Sequence, residues 1–309
     1  ASLSSNIEIL LILRCFQGFG AAACLSVGRT IISDCFDISE AAKQMSKMTA
    51  IMAIIPITCF IFGGLLADFW GWRTNLIALG IISLTLIFFM ILMLKETLIN
   101  KAKSISFYNM FLVYKGLIQN NSFNFFTITT AMQTSMFFAM NGFMPYEFAR
   151  KGVSISEFGI WFSLTSVGYI FGNIINSKLS PKLGLERMCL IGTVCSFSTV
   201  LIFFLNNNFL ENGPLALSLI CVLFGCSNGF AVANSMTGAI NSSKLNKGAA
   251  SGLMGAFQVG SGGLAGFLII YFGGAENFNI CLTALFIMSG ISIISSYLIL
   301  KKKKLTYKT

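Results

Sequence analysis

Nine stretches of this sequence are apolar for long enough to cross a hydrocarbon core unbroken: about 7–32, 47–68, 74–94, 122–146, 156–178, 188–206, 214–238, 249–272 and 278–300. About 20 apolar residues of helix cover a core of roughly 30 Å. In lipid each backbone N–H and C=O must find its partner within the chain, and a continuous apolar run does so as a helix. The two-residue alternation of a membrane β-barrel is absent. Only 10% of the 309 residues are charged, whereas a soluble globular domain carries about 25%. The expected fold is therefore an all-α integral membrane protein with about nine transmembrane helices.

The net charge of +10 does not point to nucleic acid, because the cations sit between apolar runs and not along a polar face. They report topology instead. Lys43, Lys47, Lys95, Lys101, Lys103, Lys115, Lys178, Lys182, Arg187, Lys244, Lys247, Lys301 to Lys304 and Lys308 fall on one set of alternate connections, sixteen in all. Arg73, Arg150 and Lys151, three residues, fall on the other. Positive charge accumulates on the cytoplasmic side. The central segment and the C-terminal tail are thus expected inside, and the N-terminus outside. The expected division is 1–94, three helices; 95–121, a cytoplasmic central loop; 122–300, a six-helix bundle; and 301–309, a basic tail. Within the loop, Phe107 to Ile118 reads as an amphipathic interfacial helix. Residues 7–32 are too long for a signal-peptide core and contain Arg14, so they are not read as a targeting segment.

Nine cysteines and no histidine are present. Cys15, Cys24, Cys59, Cys195, Cys221, Cys226 and Cys281 lie inside apolar runs and read as small buried hydrophobes. No metal site, cofactor or converging acid–base set is expected, so an enzyme is not the reading.

Arg14 stands about seven residues into the first run, roughly 10 Å along a helix. A charge at membrane depth is costly and marks function; the alternative is an Arg snorkelling to the outer interface beside Glu8. Gln17 lies at i+3 on the same face. Gly18, Gly20, Ala21, Ala22 and Ala23 follow, and small residues let another helix approach closely.

Leu10, Arg14, Gln17, Gly18, Gly20, Ala21 and Ala22, at this spacing, resemble the fourth-helix motif of drug:proton antiporters in the major facilitator superfamily. The stretch RCFQGFGAAACLSVGRTIISD is most similar to the bicyclomycin-resistance (Bcr/CflA) type, with Arg29 and Asp34 at its cytoplasmic end. The resemblance implies a twelve-helix fold, of which this chain would carry helices 4–12, and a role for Arg14 and Gln17 in coupling protons to substrate. The second run adds Pro56, Gly63 and Gly64 of the family's fifth-helix antiporter motif, with Phe60 where that motif has Pro. A Pro removes a helix hydrogen bond and permits a kink. Asp68 to Arg73 matches the outer turn; Asp68 and Arg73 could pair across it, an exposed pair worth little and read as turn structure, not chemistry. The cytoplasmic signature between the family's second and third helices is absent, and the resemblance implies a monomer.

Four small-residue pairs mark helix-contact faces: Gly168 with Gly172, Gly225 with Gly229, Gly248 with Gly252, and Gly262 with Gly266. Gln17-Gly18-Phe19-Gly20-Ala21 echoes Asn228-Gly229-Phe230-Ala231-Val232, as equivalent helices of two repeats would. Gln133, Met136, Phe137, Asn141, Tyr169, Asn173, Asn228, Asn234 and Gln258 are candidates for a substrate cavity. Met, Phe and a few amides suit amphipathic molecules; the alternative is interhelical hydrogen bonding. No Asp or Glu lies mid-span. The expected function is proton-coupled efflux of small amphipathic compounds across a bacterial inner membrane. The partners are lipid, protons and a small molecule. The alternatives are a proton-coupled uptake symporter or an inactive truncated carrier.

Overall fold

A computed structural model describes residues 1–35, 38–94, 107–209, 213–242 and 247–306. The side chains of Arg29, Asp34, Lys43 and Lys47, the charged start of the central loop, Lys244, and the tail from Lys303 onward lie outside the described residues. Among the described residues there are ten α-helices and no strand: α1 Ile7–Cys35, α2 Ile38–Trp70, α3 Trp72–Met93, α4 Phe107–Gln119, α5 Asn121–Arg150, α6 Ile155–Leu183, α7 Leu185–Phe209, α8 Pro214–Asn241, α9 Lys247–Tyr271 and α10 Phe278–Thr306.

Each of the nine apolar runs lies on one helix, because each supplies backbone pairs internally and contains few breakers. The breaks are local. Gly71, at φ 82, separates α2 from α3, and Gly184, at φ 84, separates α6 from α7. A side chain at such a φ would be strained. Asn120 caps α5, its side-chain oxygen accepting from the Ser122 and Phe123 amides at 2.9 and 3.4 Å. Pro214 opens α8 behind Gly213, a position where the missing N–H is no loss. Pro56, Pro145 and Pro181 lie inside α2, α5 and α6.

Among the described residues six helices are long and apolar enough to cross a membrane: α3, α6, α7, α8, α9 and the Phe278–Lys302 part of α10. The 30-residue α5 is less apolar because it carries a buried polar face. It buries Thr127, Thr129, Thr130, Gln133, Thr134 and Ser135.

The chain forms two compact units, Ala1–Ser104 with Ile155–Ile160, and Ile105–Ser154 with Trp161–Thr309. In the first, α2 packs on α1 and α3. Asn75 Nδ2 donates to the Gly63 carbonyl at 3.0 Å and ties α3 to α2. Asp68 and Arg73 do not pair across the turn. Ser156 Oγ donates to Asp68 Oδ2 at 2.6 Å, while Arg73 donates to the Ser4 carbonyl at 3.3 Å and lies over Trp72, 4.4 Å from the ring centre. The glycine turn directs the two side chains to different neighbours.

In the second unit α5 is central, packed on α8, α9 and α10, and α7 packs on α8 and α10. Phe123, Met136, Met140, Phe143, Met144 and Phe148 of α5 are all sealed. Two of the small-residue faces close on each other. A methyl on Gly168 or Gly172 of α6 would strike the Val222 or Cys226 carbonyl of α8, and one on Gly225 would strike the Thr165 carbonyl of α6. At Gly262 the added methyl would meet the Phe138 ring at 2.5 Å, whereas Gly248 and Gly252 face open space. Of the cysteines read as buried, Cys221 and Cys281 are; Cys195 and Cys226 are half-buried, and Cys15, Cys24 and Cys59 are exposed. A small apolar side chain in a membrane helix gains little by leaving a lipid-facing surface.

Candidate functional site

The residues singled out by sequence fall into two separate groups. The first is on α1. Arg14 Nη1 donates to Gln17 Oε1 at 2.8 Å, the contact that i, i+3 spacing allows. Both side chains are exposed, and Gly18 and Gly20 beside them meet nothing. Gln17 also lines an open hollow of about 280 Å³ with Leu13, Leu76, Leu79 and Ser83. On α2, Pro56 sits inside a continuous helix. Gly63 receives Asn75. A methyl on Gly64 would come within 2.9 Å of the Ile155 carbonyl, and one on Gly159 would strike the Phe60 carbonyl. The antiporter-like glycine is thus half of a glycine-to-glycine crossing. Its partner Gly159 was not singled out by sequence, since it has no second glycine four positions away.

The second group is the interior of the second unit, where Gln133 is fully buried. Ser196 Oγ of α7 donates to Gln133 Oε1 at 2.8 Å and stands 2.9 Å from Ser227 Oγ of α8. Gln133 Nε2 donates to Ser292 Oγ of α10 at 3.0 Å. Asn228 Nδ2 of α8 donates to the Gln133 carbonyl at 3.1 Å. One residue of α5 therefore links α7, α8 and α10. A shell of hydroxyl pairs surrounds it: Thr193 with Ser296 at 2.8 Å, Thr130 with Ser235 at 2.8 Å, and Ser135 with Ser261 at 3.0 Å. Gln258 Nε2 of α9 donates to Thr134 Oγ1 at 3.1 Å. Asn234 bonds Asn176 at 2.6 Å and accepts from Ser180 at 2.8 Å. These hydroxyls and amides satisfy one another without charge, as a lipid-enclosed bundle requires.

The cavity candidates divide accordingly. Gln133, Met136 and Asn228 are sealed between helices. Phe137, Asn141, Tyr169, Asn173 and Gln258 are half-buried. Asn141 donates to the Phe137 carbonyl at 2.7 Å and Asn173 to the Tyr169 carbonyl at 2.9 Å, each one turn back, and Asn173 also bonds the Tyr169 side chain.

Sequence reasoning missed one charged residue. Glu147, in the last turn of α5, is buried, with Arg150 at 3.2 Å and Lys151 at 3.4 Å. Arg150 also donates to the Glu276 carbonyl at 2.7 Å, between α9 and α10. The signal was the pair of cations three and four positions on, which also suit a helix C-terminus. Among the described residues no three His, Cys, Asp or Glu side chains converge.

The Major Facilitator Superfamily model matches residues 1–266 of this chain. The uncharacterized MFS-type transporter YdgK of Bacillus subtilis (strain 168) is 27% identical over 273 residues, covering 87% of this chain and 67% of that relative. The bicyclomycin resistance protein homolog of Haemophilus influenzae is 26% identical over 270 residues, covering 83% and 65%. The chloramphenicol resistance protein CraA of Acinetobacter baumannii is 25% identical over 209 residues, covering 66% and 49%. The chain thus spans two thirds or less of the length of these relatives. A match over most of its residues makes this protein a member of the major facilitator superfamily.

Proposed function

We propose that this chain crosses a bacterial inner membrane nine times and expels small amphipathic compounds in exchange for protons, by alternating access. The observation that carries the reading is the Arg14–Gln17 pair, joined at 2.8 Å on one face of α1. A guanidinium keeps its charge at any working pH, so Arg14 supplies a fixed positive field, and Gln17 fixes its direction. A group that binds a proton within that field does so more weakly than elsewhere. That bias is the means by which a proton is exchanged for cargo. The resistance proteins among the relatives support export over import. The loop charges support an inside central segment and C-terminus.

The half-buried set Phe137, Asn141, Tyr169, Asn173 and Gln258 is the part of the second unit suited to contact cargo. It combines aromatic surface with amide groups whose bonds are confined to their own helix or to one hydroxyl. Gln133, Met136 and Asn228 hold the bundle around it.

Inverted membrane vesicles containing the full chain, acidified inside, test this reading with ethidium and chloramphenicol as probes. Export in exchange for protons predicts probe accumulation that collapses with the proton gradient. Arg14→Ala, inserted at equal amount, should lower it by about ten-fold or more. Unchanged accumulation in that variant removes the coupling role. A second reading, uptake together with protons, rests on Phe60 in place of the motif's Pro. In the same vesicles it predicts that acid inside drives probe out.

A further inference from the structure

One end of the second unit brings residues near the termini of six helices to a single apolar cluster. Leu117 of α4, Phe123 of α5, Cys189 of α7, Ala239 of α8, Ala250 of α9 and Ile299 of α10 are buried there together. Four of these termini carry a cation within three residues of the cluster, that is within about 5 Å of helix rise. Lys115 precedes Leu117, Arg187 precedes Cys189, Lys247 precedes Ala250, and Lys301 follows Ile299; all four are exposed. Glu186 is the carboxylate on these same turns.

Helix α4 has an unusual pattern. Val113, Tyr114 and Leu117 face the cluster. Asn120, at its end, donates to the Ser242 carbonyl of α8 at 3.1 Å and fixes the helix in place. Its other side is mixed, with exposed apolar residues beside Lys115 and Gln119. Phe111 is 64% exposed, Leu112 45% and Ile118 53%. Lys115 stands among them, exposed. A helix held along the base of a membrane bundle, with apolar residues turned outward around a lysine, is shaped to lie in the headgroup boundary.

We propose that α4 and the ring of Lys115, Arg187, Lys247 and Lys301 form a docking surface for anionic phospholipid headgroups. Phe111, Leu112 and Ile118 enter the acyl boundary of the leaflet. The cations take the phosphates. Charge complementarity selects this occupant over a second protein, since an anionic leaflet is the negative surface that basic residues beside a span meet. The general excess of cations on one side of a membrane protein explains their presence. It does not explain exposed apolar residues on a helix too short to span. Lipid bound here would brace α4 against α5 and α9, so the leaflet's charge would set how firmly the base of the bundle is held.

The test uses Phe111→Trp in the full chain, reconstituted in phosphatidylcholine vesicles. Quenching is read as the increment over the parent chain's own tryptophans. Dibrominated phosphatidylglycerol is compared with dibrominated phosphatidylcholine at equal mole fraction. The proposal expects both to quench and the anionic lipid to quench more strongly. Lys115→Gln, Lys247→Gln and Lys301→Gln together should cut the difference to what Arg187 alone can hold, at roughly five-fold of local enrichment per cation, while quenching by phosphatidylcholine persists. The three Lys→Arg replacements should preserve it. Equal quenching by the two lipids before any lysine is changed overturns the proposal. So does the absence of quenching by either, and so does a preference undiminished in the triple Gln variant.

Discussion

Helices α3 and α8 are both long and apolar enough to cross a membrane, yet none of α3 is buried and 61% of the span of α8 is. Apolarity does not make the difference. α3 is rich in Leu, Ile, Phe and Met, while α8 buries Gly225, Ser227, Asn228, Gly229, Ser235 and Gly238. Lipid tails are as apolar as leucine, so apolar side chains gain nothing by moving from lipid to protein. What brings membrane helices together is close backbone approach and paired polar groups. The second unit has both in quantity. The first unit has the Asn75–Gly63 bond and the Gly64–Gly159 crossing. The internal echo makes the same point with similar letters. Gly18 of Gln17-Gly18-Phe19 meets nothing, whereas Gly229 of Asn228-Gly229-Phe230 would carry a methyl to within 2.8 Å of the Tyr169 carbonyl.

The comparison breaks first at the glycines. Gly225→Ala drives a methyl into a backbone carbonyl that cannot swing aside. Overpacking of this kind costs about 1–3 kcal/mol, and the rigid obstacle places Gly225→Ala near 3. Gly80→Ala on α3 meets nothing and should stay within about 0.5 kcal/mol of the parent. Unfolding of the full chain in mixed micelles under rising dodecyl sulfate measures both. Equal effects would mean that small residues do not distinguish the two units.

Next comes the polar interior. Gln133→Leu removes bonds to Ser196 and Ser292 and leaves their hydroxyls to find new partners. Interhelical hydrogen bonds within membranes contribute about 0.6 kcal/mol each on average, and unpaired buried groups add to that. The expected loss is about 2 kcal/mol by the same titration. Asn75→Ala, which removes one bond in the first unit, should lose about 0.6 kcal/mol.

These cases also mark how far the sequence could be read. The helices were legible because long apolar runs admit one solution in lipid. The faces that pack were legible in part. Gly168, Gly172, Gly225 and Gly229 close on each other, while Gly248 and Gly252, with the same spacing, face open space. Spacing names a face but not its partner. Gln133 was legible as a residue in need of partners, though not as a hub linking three other helices. Asp68 was legible as part of a turn, but its partner, Ser156, lies 88 positions away. Glu147 was set aside for its place near a helix end. Burial there follows from the fold of α9 and α10 over it, which no local pattern encodes.

Glu147→Gln gives a smaller effect. Removing one member of a buried ion pair is severe when the remaining charge stays buried. Here the cations left behind, Arg150 and Lys151, have side chains 39% and 21% exposed. They can turn to water, and Arg150 keeps the Glu276 carbonyl. The expected loss is about 1 kcal/mol, read by the same titration. A loss as large as that of Gly225→Ala would show that α5 depends on this end as strongly as on its helix crossings.

The smallest expected effect is the most informative about the first unit. Arg14 and Gln17 bond each other, i to i+3, on an exposed face, and such pairs contribute about 0.2–0.5 kcal/mol to a helix. Arg14→Ala should therefore leave the micelle titration within about 0.5 kcal/mol of the parent. The second unit uses its buried amides to hold helices together, so a lost amide there shows as lost stability. In the first unit the polar pair, among the described residues, bonds only itself. If Arg14→Ala is stable and transport fails, the pair acts on protons or cargo. If instead the variant loses more than about 1 kcal/mol, Arg14 is a structural residue like Gln133, and the contrast between the two units narrows to their glycines.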